Sequence, residues 1–263
     1  MKRKIISVAI ISLLLYPGYA PGQNNSSSQA ERSATQKESR SGDQSPNLEY
    51  VLTNYYKAIG GVLNWRNVQT LVITGTLDTG SAKLSTIARN MRPDKCMVVY
   101  SKDDLKIIQA YNGSSAWELN PLTGINEPQV IKGELSESIK DKCDIEGPLI
   151  EFREKNLKVQ LEGKEKVKDV ESYKIKINYP SGNVQYYFID SETFLPLKTV
   201  RVIKSSGGEN TVTTTFRNYR KSGGIVVPHL LIFENTGQTP PHRLIIDSVK
   251  VNSPIDTDVF TMP

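Results

Sequence analysis

Apolar and polar residues alternate with a period of two through most of the chain beyond residue 70, and this pattern constrains the fold most. Successive side chains of a β-strand point to opposite faces, so each such run predicts a strand with one apolar face. The clearest run places Tyr173, Ile175, Ile177 and Tyr179 between Lys174, Lys176 and Asn178. Other runs cover residues 71–77, 82–92, 96–101, 105–111, 115–120, 157–168, 184–188, 195–204, 210–219, 225–234 and 243–252. Short turns separate these runs, and the sequence therefore predicts a single antiparallel sheet of about 11 strands.

Two segments depart from this period and predict helices. Apolar residues fall at helical spacing at Leu48, Val51, Leu52, Tyr55 and Ile59. Ser45 is the expected N-cap, Pro46 the first helical residue, and Gly60-Gly61 the end of this helix. Between residues 128 and 148, Leu135, Ile139 and Cys143 recur at every fourth position and predict a short amphipathic helix inserted between strands.

A large sheet with one apolar face has to cover that face. It can close into a barrel, pair with a second sheet, or curl around helices. Two helices are too few to cover so many strands if the sheet is flat. We therefore expect a mainly β fold in which one curled sheet forms an unclosed half-barrel capped by helices, with a cavity inside. A closed β-sandwich is the alternative.

The first 22 residues have the pattern of a secretory signal peptide. Lys2, Arg3 and Lys4 precede an apolar run of 12 residues, Ile5 to Tyr16, whereas a membrane-spanning helix needs roughly 20. Cleavage is expected after Gly22, and a buried N-terminal helix is the alternative. No cysteine follows the expected cleavage point, so we expect a protein exported to the periplasm that is soluble there and not lipid-anchored.

Residues 23–46 are rich in Ser, Gln, Asn and charged residues and are expected to form a disordered linker. The folded part is expected to be one domain, 47–263. Removing the three basic residues of the leader lowers the formal charge from +5 to +2. The remaining Lys and Arg residues are scattered, so no nucleic-acid partner is expected.

The sequence contains no recognisable catalytic or metal-binding motif. The patterns H-E-x-x-H, G-x-S-x-G and the P-loop are absent, and no cofactor or metal is expected. Both histidines, His229 and His242, follow prolines and are expected at strand beginnings or in turns, as surface or turn residues. Cys96 and Cys143 are the only cysteines; an exported protein permits a disulfide between them, and two separate buried thiols are the alternative.

The order of several short segments resembles the LolA-like family of outer-membrane lipoprotein-sorting proteins, across residues 47–263. These segments are Tyr56 to Gly61, Leu71 to Gly75, Ala110 to Gly113, Ala116 to Pro121, Cys143 to Ile150, Gly163 to Glu165, Tyr173 to Ile175, Ile189 to Leu195, Tyr219 to His229 and Val251 to Phe260. The resemblance implies a half-barrel whose cavity holds lipoprotein acyl chains or another lipid, with no chemical step. Family members use an arginine to control opening, and neither Arg89 nor Arg92 lies in a matching motif.

The alternation and the resemblance together give a set of expected ligand-binding residues on the inner face. These are Leu71, Ile73, Val98, Tyr100, Ile107, Trp117, Leu119, Ile175, Ile177, Tyr186, Phe188 and Phe216. Leu135 and Ile139 belong to the helix expected to act as a lid. The leading hypothesis is a monomeric periplasmic carrier of a lipidated or apolar ligand, which is not an enzyme. The alternative is a lipid-responsive regulatory module that contacts inner- or outer-membrane envelope proteins.

Overall fold

The computed structural model describes residues 46–205, 208–235 and 240–263. The expected signal peptide, 1–22, and all of the expected linker except Pro46 lie outside the described residues. None of the helices in the described part of the chain is long and apolar enough to cross a membrane.

Thirteen antiparallel strands form one sheet. The strands are β1 (Thr70–Asp78), β2 (Lys83–Met91), β3 (Lys95–Lys102), β4 (Leu105–Tyr111), β5 (Ala116–Asn120), β6 (Ile125–Ile131), β7 (Lys158–Val167), β8 (Val170–Asn178), β9 (Val184–Asp190), β10 (Pro196–Ser205), β11 (Gly208–Ser222), β12 (Ile225–Asn235) and β13 (His242–Val251). Their order is β6-β5-β4-β3-β2-β1-β13-β12-β11-β10-β9-β8-β7. Two meanders therefore meet where β1 pairs with β13, and β6 and β7 are the two edges of an unclosed sheet.

The predicted number of about 11 strands is close to the observed 13, and β6 is the strand that no predicted run covers. Pro128 lies in the middle of this strand and interrupts the period that would reveal it. Proline cannot donate a hydrogen bond to a neighbouring strand, so it is found at sheet edges. β6 is an edge strand, which is why Pro128 is tolerated there.

A bulge at Thr74/Gly75 shifts the register between β1 and β13 in the centre of the sheet. A Cβ atom on Gly75 would lie 2.2 Å from the backbone oxygen of Ile245. Only glycine therefore fits at this position, because the neighbouring backbone approaches too closely for any side chain.

We expect Gly75→Ala to lower the free energy of unfolding by about 2 kcal/mol, because backbone has to move to admit the methyl group. Urea unfolding monitored by circular dichroism measures the change. Thr76→Ala in the same strand is the control, with an expected loss of no more than about 1 kcal/mol. Equal losses in the two variants would contradict the close-contact explanation.

Two helices cover one half of the sheet on what we call the inner face, the face that carries Ile73 and Val98. They are α1 (Leu48–Ala58) and α2 (Val62–Arg66). Val51, Leu52 and Tyr55 of α1 belong to the same buried cluster as Ile175 and Ile177 of β8. The N-cap of α1 is Asn47, not the expected Ser45: its side chain accepts a hydrogen bond from the backbone N–H of Tyr50 at 2.8 Å.

The inserted helix, α3 (Glu134–Asp141), lies over the other half of the inner face. Ile139 packs there with Tyr111 and Ala116. A disulfide joins Cys96 of β3 to Cys143, just beyond the end of the helix. The helix is therefore linked covalently to the sheet that it covers.

The C-terminal segment covers part of the outer face. A 3-10 helix, Thr257–Phe260, inserts Phe260 against Trp117 and Ile108. The indole Nε1 of Trp117 donates a hydrogen bond to the backbone oxygen of Phe260 at 2.8 Å. The sheet thus has apolar clusters on both of its faces.

Candidate functional site

A cavity of about 340 Å³ lies on the inner face, between the central strands and α3. One row of paired residues crosses its floor, from Ile73 through Ala88 and Val98 to Gln109. Small and medium-sized side chains at these positions leave the space open. The volume falls within the range of small-molecule sites, roughly 300–1,000 Å³.

The walls of the cavity are predominantly apolar. Their apolar residues include Tyr100, Ile139, Leu231, Phe233, Leu244 and Ile246. Burial raises the pKa of Tyr100 to about 12, so this phenol is neutral at physiological pH. Such a surface gains free energy by contact with a hydrocarbon, about 0.8 kcal/mol for each methylene removed from water.

A short polar chain of hydrogen bonds borders the cavity. Lys142 Nζ donates to Gln109 Oε1 at 3.2 Å, and Gln109 Nε2 donates to Glu118 Oε1 at 3.0 Å. Asn120 Nδ2 donates to the same Glu118 oxygen at 3.1 Å. Gln109, Glu118 and Asn120 are buried, whereas Lys142 is exposed to the cavity. The polar groups are therefore concentrated at one end of an otherwise apolar site.

A second, larger cavity of about 590 Å³ lies on the other side of the disulfide. Its lining contains many charged groups that are already paired with one another. Lys155 Nζ lies 2.8 Å from Asp144 Oδ2 and 3.3 Å from Glu146 Oε1. Burial raises the pKa of Asp144, although the Lys155 ammonium opposes this shift. The lining of this cavity mixes apolar groups with charges of both signs, whereas the lining of the smaller cavity is almost entirely apolar, so we assign the ligand site to the smaller one.

Arg92 holds in place the loop that carries Cys143 and Glu146, beside the two cavities. Its guanidinium forms an ion pair with Glu146, whose side chain is 4% exposed. Nε of Arg92 donates to Val68 O at 2.7 Å, and an Nη group donates to Trp65 O at 3.2 Å. These contacts join the end of α2 to the loop that carries Cys143.

Three of the expected ligand-binding residues line the cavity: Ile73, Val98 and Tyr100. Five others lie on the inner face outside its lining. Ile107 is buried opposite Tyr100, and Phe216 pairs with Leu231. Leu71, Ile175 and Ile177 are buried in the cluster beneath α1. Of the expected lid residues, Ile139 lines the cavity and Leu135 lies in the same helix.

The expected positions of four residues are wrong, because they lie on the outer face. Tyr187, not Tyr186, pairs with Ile175, so the inner residues of β9 are Tyr187 and Ile189. Tyr186 and Phe188 point outward, where Lys174 lies over both rings at 5.0 and 5.7 Å. The outer face of β5 carries the other two residues, Trp117 and Leu119, which pack beneath the C-terminal segment.

Sequence reasoning missed the cavity residues contributed by the last two strands. These are Leu231, Phe233, Leu244 and Ile246. Their alternation is visible in the sequence, but only strand order places β12 and β13 beside β1. Lys142 was also missed, because a lone lysine beside Cys143 carries no pattern of its own.

Both histidines are buried, so the expected surface positions are wrong, whereas the expected position at a strand beginning is confirmed for His242. His229 lies inside β12, and its Nδ1 is 3.3 Å from Val227 O. His242 is the first residue of β13 and is opposite Phe233. Burial lowers the pKa of His242 and so favours its neutral form. Within the described ranges, no group of three or more His, Cys, Asp or Glu residues is arranged to hold a metal ion.

Three solved structures share this architecture. A DUF1329 family protein from Desulfovibrio piger ATCC 29098 gives a TM-score of 0.56 at 13% identity, covering 80% of this chain and 97% of that one. A LolA superfamily protein from Nitrosomonas europaea gives a TM-score of 0.53 at 13% identity, and the match covers 82% of this chain and 98% of that one. The chain has a LolA-like fold. An outer membrane lipoprotein-sorting protein domain from Vibrio parahaemolyticus also gives a TM-score of 0.53, at 12% identity. This match covers 81% of this chain and 95% of that one.

The LolA-like fold confirms, at the level of architecture, the resemblance found in the sequence. The sequence itself matches no protein-family model and no curated protein. The identities of 12–13% establish the fold alone. The ligand and the role of this chain therefore have to be argued from its own cavity.

Proposed function

We infer that this protein is a periplasmic carrier that holds a lipid or lipidated ligand in the cavity beneath α3, without a chemical step. The observation that supports this function most directly is the apolar lining of the 340 Å³ cavity. A hydrocarbon gains about 0.8 kcal/mol per buried methylene, so a long chain binds there without a polar motif. The LolA-like fold supports the same function, since one similar structure is a lipoprotein-sorting protein domain.

Location and partners are part of this proposal. The basic and apolar leader at residues 1–22 supports export to the periplasm. The carrier would act as a monomer and exchange its ligand with proteins of the inner or outer membrane. The scattered charges of the chain favour neither nucleic acid nor a strongly charged partner.

Native mass spectrometry of the protein purified from the periplasm tests the carrier function, followed by extraction and identification of any bound lipid. We expect about one equivalent of an acyl-containing molecule. A clean apo mass, combined with no uptake of the neutral fluorescent probe N-phenyl-1-naphthylamine, would contradict the proposal.

Filling the cavity is expected to weaken ligand uptake. Ala88 lies on the cavity floor between Ile73 and Val98, so Ala88→Leu places a branched side chain in the space. Displacing two methylenes at about 0.8 kcal/mol each weakens binding by about tenfold. Fluorescence titration with N-phenyl-1-naphthylamine measures this change. The control is Ser85→Leu, on the exposed outer side of the same strand, which is expected to bind like the wild type.

A further inference from the structure

One end of the apolar cavity carries an ammonium group that forms no ion pair with the described residues. Lys142 is exposed to the cavity, and its Nζ donates to Gln109 Oε1 at 3.2 Å. A lysine ammonium has three N–H donors, and among the described residues only Gln109 accepts from it. Two donors are therefore available to a ligand inside the cavity.

The carboxylates near Lys142 are engaged with other groups. Asp141, the preceding residue, forms an ion pair with Arg201 of β10. Glu118 of β5 accepts hydrogen bonds from Gln109 and Asn120. Arg201, the cation of that pair, also lies near Lys142. The ammonium is thus held in place through a neutral amide, and no carboxylate of the described residues contacts it directly.

The surroundings of Lys142 affect its protonation. Desolvation by the surrounding protein lowers the pKa of this lysine, and the neighbouring Arg201 charge lowers it further. Glu118 and Asp141 act in the opposite direction, and the resulting pKa is about 8. The ammonium is therefore mostly protonated at neutral pH, and it loses its proton as the pH rises through 8.

We propose that the cavity binds a single-chain amphiphile with a carboxylate head, such as a long-chain fatty acid, and that Lys142 pairs with this carboxylate. This inference rests on the proposed carrier function and names the class of its ligand. Among the described residues of the lining, Lys142 carries the only charge, which matches a head group with one negative charge. The apolar walls receive the chain, and the volume lies at the lower end of the range for ligand sites, as expected for one chain.

A carboxylate head fits an ammonium that has no carboxylate of the described residues in direct contact better than a neutral head does. Hydrogen bonds between two charged groups are shorter and about twice as strong as those between neutral groups. The ester-linked chains of a lipoprotein have no charge to pair with the ammonium. A dianionic phosphate would exceed the single charge that lines the cavity.

Displacement of N-phenyl-1-naphthylamine by laurate and by dodecanol, which differ in the head group, tests the proposal. At pH 7 we expect laurate to bind the wild type at least about tenfold more tightly than dodecanol. Lys142→Met is expected to reduce this ratio to within about twofold, and Lys142→Arg to retain it. The matched control is Lys140→Met: Lys140 is exposed in α3, two residues before Lys142 and over the ring of Tyr111, and the preference should remain.

The pH dependence in the wild type gives a test that does not need a variant to fold. Laurate stays ionised between pH 7 and 9.5, whereas Lys142 loses its charge, so the preference for laurate should decline across pH 8. An equal affinity of the wild type for laurate and dodecanol would overturn the proposal and leave the carrier function standing. So would a preference that survives in Lys142→Met. If the probe and both ligands all fail to bind, the carrier function fails, and this inference fails with it.

Discussion

Replacing Cys96 and Cys143 together by alanine is expected to lower the free energy of unfolding by about 4 kcal/mol. The disulfide joins residues 47 positions apart, so it restricts a long loop in the unfolded chain. The chain-entropy relation gives about 4 kcal/mol for a loop of this length. Urea unfolding of the oxidised wild type and of the double variant measures the difference.

The folded state keeps other contacts around α3 when the disulfide is absent. The loss of stability is therefore expected to come mainly from the greater conformational freedom of the unfolded chain. Without the disulfide, Asn90 Nδ2 still donates to Lys142 O at 2.9 Å, and Asp141 still pairs with Arg201. Reduced wild-type protein is the natural control, since it should unfold at the same urea concentration as the double variant. A difference below about 1 kcal/mol between oxidised and reduced protein would contradict a structural role of the disulfide.

The sequence was sufficient to predict the single antiparallel sheet and both main helices, because their patterns are local. Tyr173 to Tyr179 alternates with lysine and asparagine, and the structure places its apolar residues beneath α1 as a strand requires. The interval of four residues between Leu135 and Ile139 likewise identified α3. The strand count failed at β6, where Pro128 hides the period.

The sequence could not assign the faces of individual strands. In β9, Tyr186, Tyr187, Phe188 and Ile189 are all apolar, so alternation does not choose between two registers. The pairing of Tyr187 with Ile175 of β8 determines which residues of β9 face inward. This pairing depends on the neighbouring strand and not on the sequence of β9 itself.

In β5 the rule that apolar residues point inward is reversed. Trp117 and Leu119 point outward because the C-terminal segment covers them. Glu118 and Asn120 point inward, where the buried Gln109 lies between Glu118 and Lys142. The polar end of the cavity therefore comes from a strand whose sequence suggested a solvent-facing polar side. Knowledge of what covers each face was needed to find it.

Replacing Arg92 by methionine is expected to lower the free energy of unfolding by about 3 kcal/mol. The carboxylate of Glu146 is 4% exposed, and removing one partner of such a buried ion pair leaves a charge poorly compensated. Lys155 Nζ, at 3.3 Å, would be its remaining cation. The substitution also removes the hydrogen bonds to Val68 O and Trp65 O.

An exposed ion pair serves as the control for the buried one, because it has the same charges without the burial. Arg66 and Glu151 form an ion pair at 2.5 Å with side chains 52% and 30% exposed. Because water screens this pair, Arg66→Met should cost no more than about 1 kcal/mol. Equal losses at the two arginines, measured by urea unfolding, would show that burial of Glu146 is not the cause.

A double-mutant cycle then tests whether Arg92 acts through Glu146. Glu146→Gln removes the buried charge, so Arg92→Met should be less costly in that background than in the wild type, by about 1–2 kcal/mol. The remaining cost would come from the lost hydrogen bonds to the backbone at the end of α2. Since Glu146 lies three residues after Cys143, this pair and the disulfide fasten the same segment beside the cavity. Additive effects in the cycle would mean that Arg92 stabilises the protein only through its backbone contacts and not through the buried charge of Glu146.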